Sequence, residues 1–255
     1  MTLPRSVAAA AAVLLLGTGA SAQSPQPPAS VAPMSQQQIN EEMLKELRQI
    51  RQLLERLTQP QPQAPPQPTS AKVTNLKGYA LGRPDAPLTM VEFTDLQCPF
   101  CRQFVMTSFD DIRKNWIDTG KLRYISRDFP LDIHAQAMPA ARAARCAGEQ
   151  GKFWEMRLGL MRNANLLSAD YITKTAGDLK LESKAFAACI AASKYDAEIQ
   201  AEIVEGTKLG VGGTPTFVMG PTTATAVEGP IVVGALPYPQ FDAKLKQLLA
   251  AAGSK

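Results

Sequence analysis

The sequence predicts an α/β domain with a long helical insertion, preceded by a separate N-terminal helix. Three observations carry that reading. After residue 71 the segments run strand, helix, strand, a long helical block, strand, strand, helix. A seven-residue apolar repeat occupies residues 43–57, upstream of this domain. A proline-rich stretch separates the two. With 45% hydrophobic and 20% charged residues, a packed core is expected, and a net charge of +4 gives no reason to propose nucleic acid as a partner.

The first segment reads as an export leader. Residues 1–5 are a short basic region, residues 7–16 an apolar core of alanine and leucine, and Ala20-Ser21-Ala22 a small-x-small cleavage site. The apolar run is too short to cross a bilayer of about 30 Å as a helix. Cleavage near Ala22 would release the mature chain into the periplasm or another exported compartment, where disulfides persist; an uncleaved anchor is the alternative. Residues 23–34 follow, rich in Pro, Ser and Gln, and are expected to be disordered.

A helix is predicted over residues 35–58. Ser35 reads as its N-cap, with Gln38 three residues on as capping-box partner and Met34 and Ile39 at the staple positions. Leu47 and Leu54 occupy a positions of the heptad, with Asn40 one heptad earlier, and Met43, Ile50 and Leu57 occupy d. Glu46 and Arg51 have the spacing of an ion pair between parallel helices. The seam predicts a coiled coil, and leucine at a with isoleucine at a central d leans to a trimer. The alternative packs the stripe on the chain's own domain. Pro60 stops the helix, and residues 59–70 form a semi-rigid spacer of up to ~37 Å if fully polyproline-like.

In the globular part, residues 88–94 read as an apolar strand and residues 99–118 as a helix. Residues 121–127 alternate as a second strand should. The helical block spans about 132–209, residues 216–219 and 229–233 are two further strands suited to a hairpin, and residues 238–251 are a terminal helix. Phe153 and Trp154 are expected in the core, and Arg142 and Arg145 in solvent.

Four cysteines are present, two of them as Cys98-Pro99-Phe100-Cys101. A bare CxxC is either half of a zinc site or a redox pair. Zinc requires three or four ligands, and Cys146, Cys189 and His134 are each isolated. The redox reading explains the setting. Cys98 follows a strand and its loop, and Pro99 suits the first turn of a helix because its missing N–H would be orphaned there. Free N–H groups and the helix dipole then favour the Cys98 thiolate, the nucleophile of disulfide exchange, while Cys101 waits one turn deeper. Cys146 and Cys189, left over in an exported chain, are expected to form a structural disulfide; two free buried thiols are the alternative.

VEFTDLQCPFC, the later GVGGTPTF and the helical block between them resemble the DsbA-like branch of the thioredoxin superfamily over residues 71–255. The resemblance implies a thioredoxin-like fold in which Cys98 is the exposed nucleophile and Cys101 the resolving cysteine. It makes Pro215 a cis-proline facing them, with Thr214 before it. Together with Pro99 and Phe100, these residues would contact an extended client peptide. A trans-proline at a strand start is the alternative from the residues alone. The resemblance also implies a buried acid at Glu92, whose carboxyl, in apolar surroundings, would take the proton of Cys101; the alternative points Glu92 outward. His134 is expected to cap or pack.

No separate cofactor or metal is expected, the redox group being the Cys98–Cys101 disulfide itself. Three functions fit the resemblance. Threonine before the cis-proline, no histidine between the cysteines, and an oligomerisation helix all lean towards an isomerase or reductase. A DsbA-type oxidase is one alternative, and a peptide-binding chaperone or copper-handling protein another. The expected partners are unfolded or misfolded exported proteins, a membrane thiol–disulfide redox partner, and further copies of the chain.

Overall fold

The computed structural model describes residues 34–58 and 68–253, which fall into two units divided between Ala64 and Pro65. The leader, the stretch 23–33 and spacer residues 59–67 lie outside the described residues.

The first unit is helix α1 (Gln36–Thr58). Its start is the capping box that the sequence predicts: Gln38 N–H donates to Ser35 Oγ at 3.3 Å, and Ser35 N–H to Gln38 Oε1 at 2.9 Å. Met43, Leu47, Ile50 and Leu54 are all exposed, and Leu44 and Leu53 widen the stripe. Arg51 pairs within the helix with Glu55, at 2.8 Å. The Leu57 side chain lies outside the described residues.

The second unit is a six-stranded sheet with helices on both faces. Its strands are β1 (Ser70–Val73), β2 (Tyr79–Leu81), β3 (Leu88–Thr94), β4 (Leu122–Asp128), β5 (Thr216–Pro221) and β6 (Val227–Val233), in the order β1-β6-β5-β3-β4-β2. Strand β3 is buried along its whole length. It pairs with β4 in parallel and with β5 antiparallel, and β5 and β6 form the expected hairpin. The edge strands β1 and β2 were not predicted. Each has only three or four residues and takes its regularity from pairing with β6 or β4, not from its own pattern.

The helix after β3 starts as α2 (Pro99–Phe104) and passes through α3 (Asp110–Ile112), with π turns at Val105–Phe109 and Arg113–Ile117. The insertion holds α4 (Ala137–Gly148), α5 (Phe153–Arg162), α6 (Ala169–Asp178), α7 (Ser183–Ala191) and α8 (Asp196–Lys208), and α9 (Tyr238–Gly253) ends the fold. One face of the sheet buries Leu88, Met90 and Tyr124 against α2, α4 and α5, and the other buries Val91, Phe93 and Ile125. Gly206 lets α8 approach that second face closely, since a Cβ there would lie 2.7 Å from Phe129.

Inside the insertion Cys146 and Cys189 are bonded, joining α4 to α7. Phe153 is buried and stacks on Tyr79, with Trp154 partly buried beside it.

The expectation of solvated Arg142 and Arg145 is corrected. Arg142 forms a fork on Asp196, with both contacts at 2.7 Å. Arg145 is buried and donates to Asp128 (2.6 Å), Glu202 (2.6 Å) and the exposed Glu198 (3.0 Å). Arg127 completes the cluster by pairing with Glu202 at 2.7 Å. A helical pattern shows which face a residue occupies, not that a second layer of carboxylates covers that face. This cluster ties α4 and α8 of the insertion to β4. Arg145→Ala would leave Asp128 and half of Glu202 uncompensated. It is expected to cost about 3–5 kcal/mol in urea unfolding, far more than an exposed ion pair.

Candidate active site

Strand β3 ends at Thr94, and the loop after it is organised by one buried carboxylate. Asp95 Oδ1 accepts from the N–H groups of Gln97 (2.7 Å) and Cys98 (3.1 Å). Its Oδ2 accepts from Leu131 N–H (2.9 Å) and lies 2.7 Å from His134 Nδ1. The turn places Cys98 as N-cap of α2, with extended backbone and Pro99 inside the first turn. Asp95 was not singled out from the sequence. Its signal was present as D-x-x-C, an Asx turn leading into a helix.

The expectation of an exposed Cys98 is corrected: it is only 3% exposed, because its thiol packs against the Thr214 loop and donates to the main-chain oxygen of Thr214 at 3.3 Å. The peptide bond between Thr214 and Pro215 is cis. Cys101 is fully buried one turn along, with Asp95 N–H 3.5 Å from its sulfur. Both thiols are free, and Pro99 and Phe100 are exposed beside them.

The two sulfurs are electrostatically unequal. A hydrogen bond from Cys101 is the largest influence on Cys98. Burial opposes it, while the Thr214 side chain and the N–H groups of Cys101 and Phe100 reinforce it, and the Cys98 pKa falls to about 6. Burial, the bond to Cys98 and the nearby charge of Glu92 push Cys101 well above the ordinary thiol range. Cys98 is thus built to ionise and Cys101 to hold its proton.

Glu92 faces into the protein, fully buried, on the β3 face that also carries Cys101's helix. Its surroundings are not apolar, as the sequence suggested. Oε2 accepts from Tyr124 Oη and from the Arg157 guanidinium, both buried, while Oε1 has no hydrogen-bond partner among the described residues. Arg157, on α5, was also missed, because α5 reads as an amphipathic helix and nothing local marks this arginine as turned inward.

Among the described residues, no group of three or more His, Cys, Asp or Glu is placed to hold a metal ion. A buried thiol pair, one member ionised at neutral pH and the other protonated beneath it, can exchange disulfides with another molecule.

A family model described as Thioredoxin matches residues 74–228. The chain belongs to the thioredoxin family. Among solved structures it is similar to α-DsbA1 of Wolbachia pipientis, with 26% identity over 68% of this chain and 91% of that one and a TM-score of 0.62. It is also similar in fold to the thiol–disulfide exchange protein α-DsbA2 of the same organism, at 23% identity, covering 66% and 86% of the two chains with a TM-score of 0.55. The fold is therefore thioredoxin-like, of the DsbA type. Among curated proteins it matches the Na(+)/H(+) antiporter NhaA 1 of Mycolicibacterium gilvum, 43% identical over 98 residues that make up 36% of this chain and 15% of that one. The chain spans only 15% to 26% of the length of such antiporter relatives. No described helix is long and apolar enough to cross a membrane.

The unequal thiols give a pH signature. Thiolate absorbance of the reduced protein is expected to titrate with a midpoint near 6, from Cys98 alone, and iodoacetamide should label Cys98 before Cys101. Because folding depresses the Cys98 pKa, the dithiol form gains stability as pH rises from about 6 towards about 9 and loses that gain on acidification. Above about 9 the raised Cys101 reverses the trend. Melting curves of reduced protein, set against oxidised protein across this range, check the sign.

Proposed function

We propose that this chain is an exported thiol–disulfide oxidoreductase that exchanges Cys98–Cys101 with client proteins, leaning to isomerase or reductase. The carrying observation is the Cys98 sulfur at a helix N-terminus, 3.3 Å from the carbonyl of cis-linked Thr214 and above a protonated Cys101. The Cys98 thiolate attacks a client disulfide, and Cys101 then displaces the client from the mixed disulfide. An extended client would lie along Thr214 and Pro215 as an added strand. Phe100, beside Cys98, and Val233, paired with Thr216 next to Pro215, are exposed apolar residues that suit unfolded segments.

The lean in direction is supported by the degree of thiolate stabilisation. A Cys98 pKa of about 6 is nearer to thioredoxin's, about 7, than to the strongest oxidant's, about 3.5. A less stabilised thiolate means a less oxidising disulfide. Equilibration of the pair in glutathione buffers tests this. A potential well below about −200 mV is expected, and one near about −120 mV would make the protein a DsbA-type oxidase instead.

The exposed seam of α1 supports an oligomer, trimeric by its a and d residues, presenting several active sites to one misfolded client. Light scattering of the mature chain should give the trimer mass. Removing residues 23–70 should leave a monomer that still reduces insulin but unscrambles wrong disulfides poorly. A membrane thiol–disulfide partner would keep the dithiol reduced.

Glu92 is assigned the proton of Cys101. Glu92→Gln should slow resolution of the mixed disulfide and leave attack by Cys98 nearly intact. Unchanged turnover in insulin reduction would remove Glu92 from the mechanism.

A further inference from the structure

The proton that leaves Cys101 has to reach water from a carboxylate that is itself sealed in the core. Strand register decides which way is open. Towards β5, Glu92 stands opposite Phe217, and along β3 the preceding residue on its face is Met90, so both directions are apolar. Towards β4 it stands opposite Ser126, and the next pair along the same face is Thr94 opposite Asp128. Paired residues of a parallel ladder point to the same side, and neighbouring strands lie only about 4.8 Å apart.

The polar groups on this patch are incompletely satisfied. Glu92 Oε1, Ser126 Oγ and Thr94 Oγ1 are each buried without a hydrogen-bond partner among the described residues. Buried polar atoms rarely remain unpaired, and three oxygens grouped on adjacent strands are what a bound water requires. Asp128, at the far end, meets Arg145 through Oδ2. Arg145 lines a surface cleft of about 360 Å³ together with Glu202 and the exposed Glu198.

We infer that Glu92, Ser126, Thr94 and Asp128 form a proton exit path from Cys101 to the cleft beside Arg145. The inference rests on the thiol–disulfide exchange reading above and extends it. In the mixed disulfide, Cys101 gives its proton to Glu92, and its sulfur bonds to Cys98 Sγ. The client sulfur departs with the electron pair of the broken S–S bond, so the dithiol is oxidised and the client sulfur reduced. Glu92 passes the proton through the hydroxyl-lined patch to Asp128, which releases it to water at the cleft. Ser126 and Thr94 act as positioning residues, because neither touches a reacting sulfur.

The charges around Asp128 suit it as the last station. Burial raises its pKa to about 6, against the attraction of Arg145 from α4, with Glu202 of α8 raising it further and Arg157 of α5 opposing. It therefore takes up and releases a proton near neutral pH.

Stopped-flow mixing of the reduced full-length protein with 5,5′-dithiobis(2-nitrobenzoate) separates the steps. Cys98 releases the first thionitrobenzoate, and Cys101 releases the second while losing its proton. Ser126→Ala and Thr94→Val are expected to slow the second phase on the order of tenfold and leave the first unchanged. Ser126→Thr, which keeps the hydroxyl, should restore the rate. Asp128→Asn should abolish the step near pH 6 in the pH profile of the second phase, where Cys98 is already bonded and does not titrate. Should Asp128→Asn fail to fold, the two hydroxyl variants decide the matter. Second-phase rates equal to wild type in both Ser126→Ala and Thr94→Val would overturn the path while leaving the exchange reading intact. A wild-type protein that never releases the second thionitrobenzoate would overturn the exchange reading itself.

Discussion

The Asp95 carboxylate is the constraint from which the rest of the site follows. It lies in the turn between β3 and α2, almost wholly buried, and each of its oxygens takes two partners. One oxygen fixes the turn that makes Cys98 an N-cap, and the other fixes the start of the segment leading to the insertion. A single side chain thus sets the distance between the dithiol and the loop bearing exposed Ile133. Charged acceptors give the stronger hydrogen bonds, and leaving buried N–H groups unpaired is costly, so the arrangement resists displacement.

A second constraint holds the helical insertion against this platform. Asp128 and Glu202 receive two arginines from two directions, and Asp128 N–H also donates to Glu202, at 2.7 Å. Buried ion pairs are poor sources of net stability compared with apolar packing, but they penalise every misplacement of one partner. Their effect here is positional. They hold α4 and α8 to the end of β4, next to the strand whose last residue precedes Asp95. The disulfide between Cys146 and Cys189 fixes α4 to α7 as well, so α4 is held on both sides.

Much of this was legible in the sequence, and what was not shares one cause. The CPFC pair, its place after an apolar strand, Thr214-Pro215 and the order of elements are local patterns, and local patterns survive in one dimension. So is the capping box of Ser35 and Gln38. Strands β1 and β2 are short edges whose regularity is borrowed from neighbours. Arg145 and Arg157 sit in helices that read as amphipathic, and their carboxylate partners lie on other elements, 17 and 57 residues away for Arg145 and 65 for Arg157. Glu92 was placed inward, yet its environment was misjudged because Arg157 could not be seen. Long-range charge pairing leaves no periodic trace, whereas apolar burial does.

The asymmetry of the two cysteines is the point at which all these layers meet. Cys98 and Cys101 differ by one helical turn, and that turn separates a helix terminus from a sealed core. At the terminus, main-chain N–H groups and the neighbouring thiol stabilise charge; below it, burial and the adjacent Glu92 resist charge. Exchange chemistry needs both conditions in sequence: a thiolate ready to attack, and a second thiol that ionises only when a mixed disulfide is there to be resolved. Arg157 makes the second condition workable. It pairs with Glu92 inside the core, and Tyr124, its own pKa held high by burial, donates to the same carboxyl oxygen. A lone carboxylate there would be costly to ionise, and a lone arginine no less so. The pair is tolerated because each charge needs the other, and that mutual need fixes Glu92 in the core near Cys101.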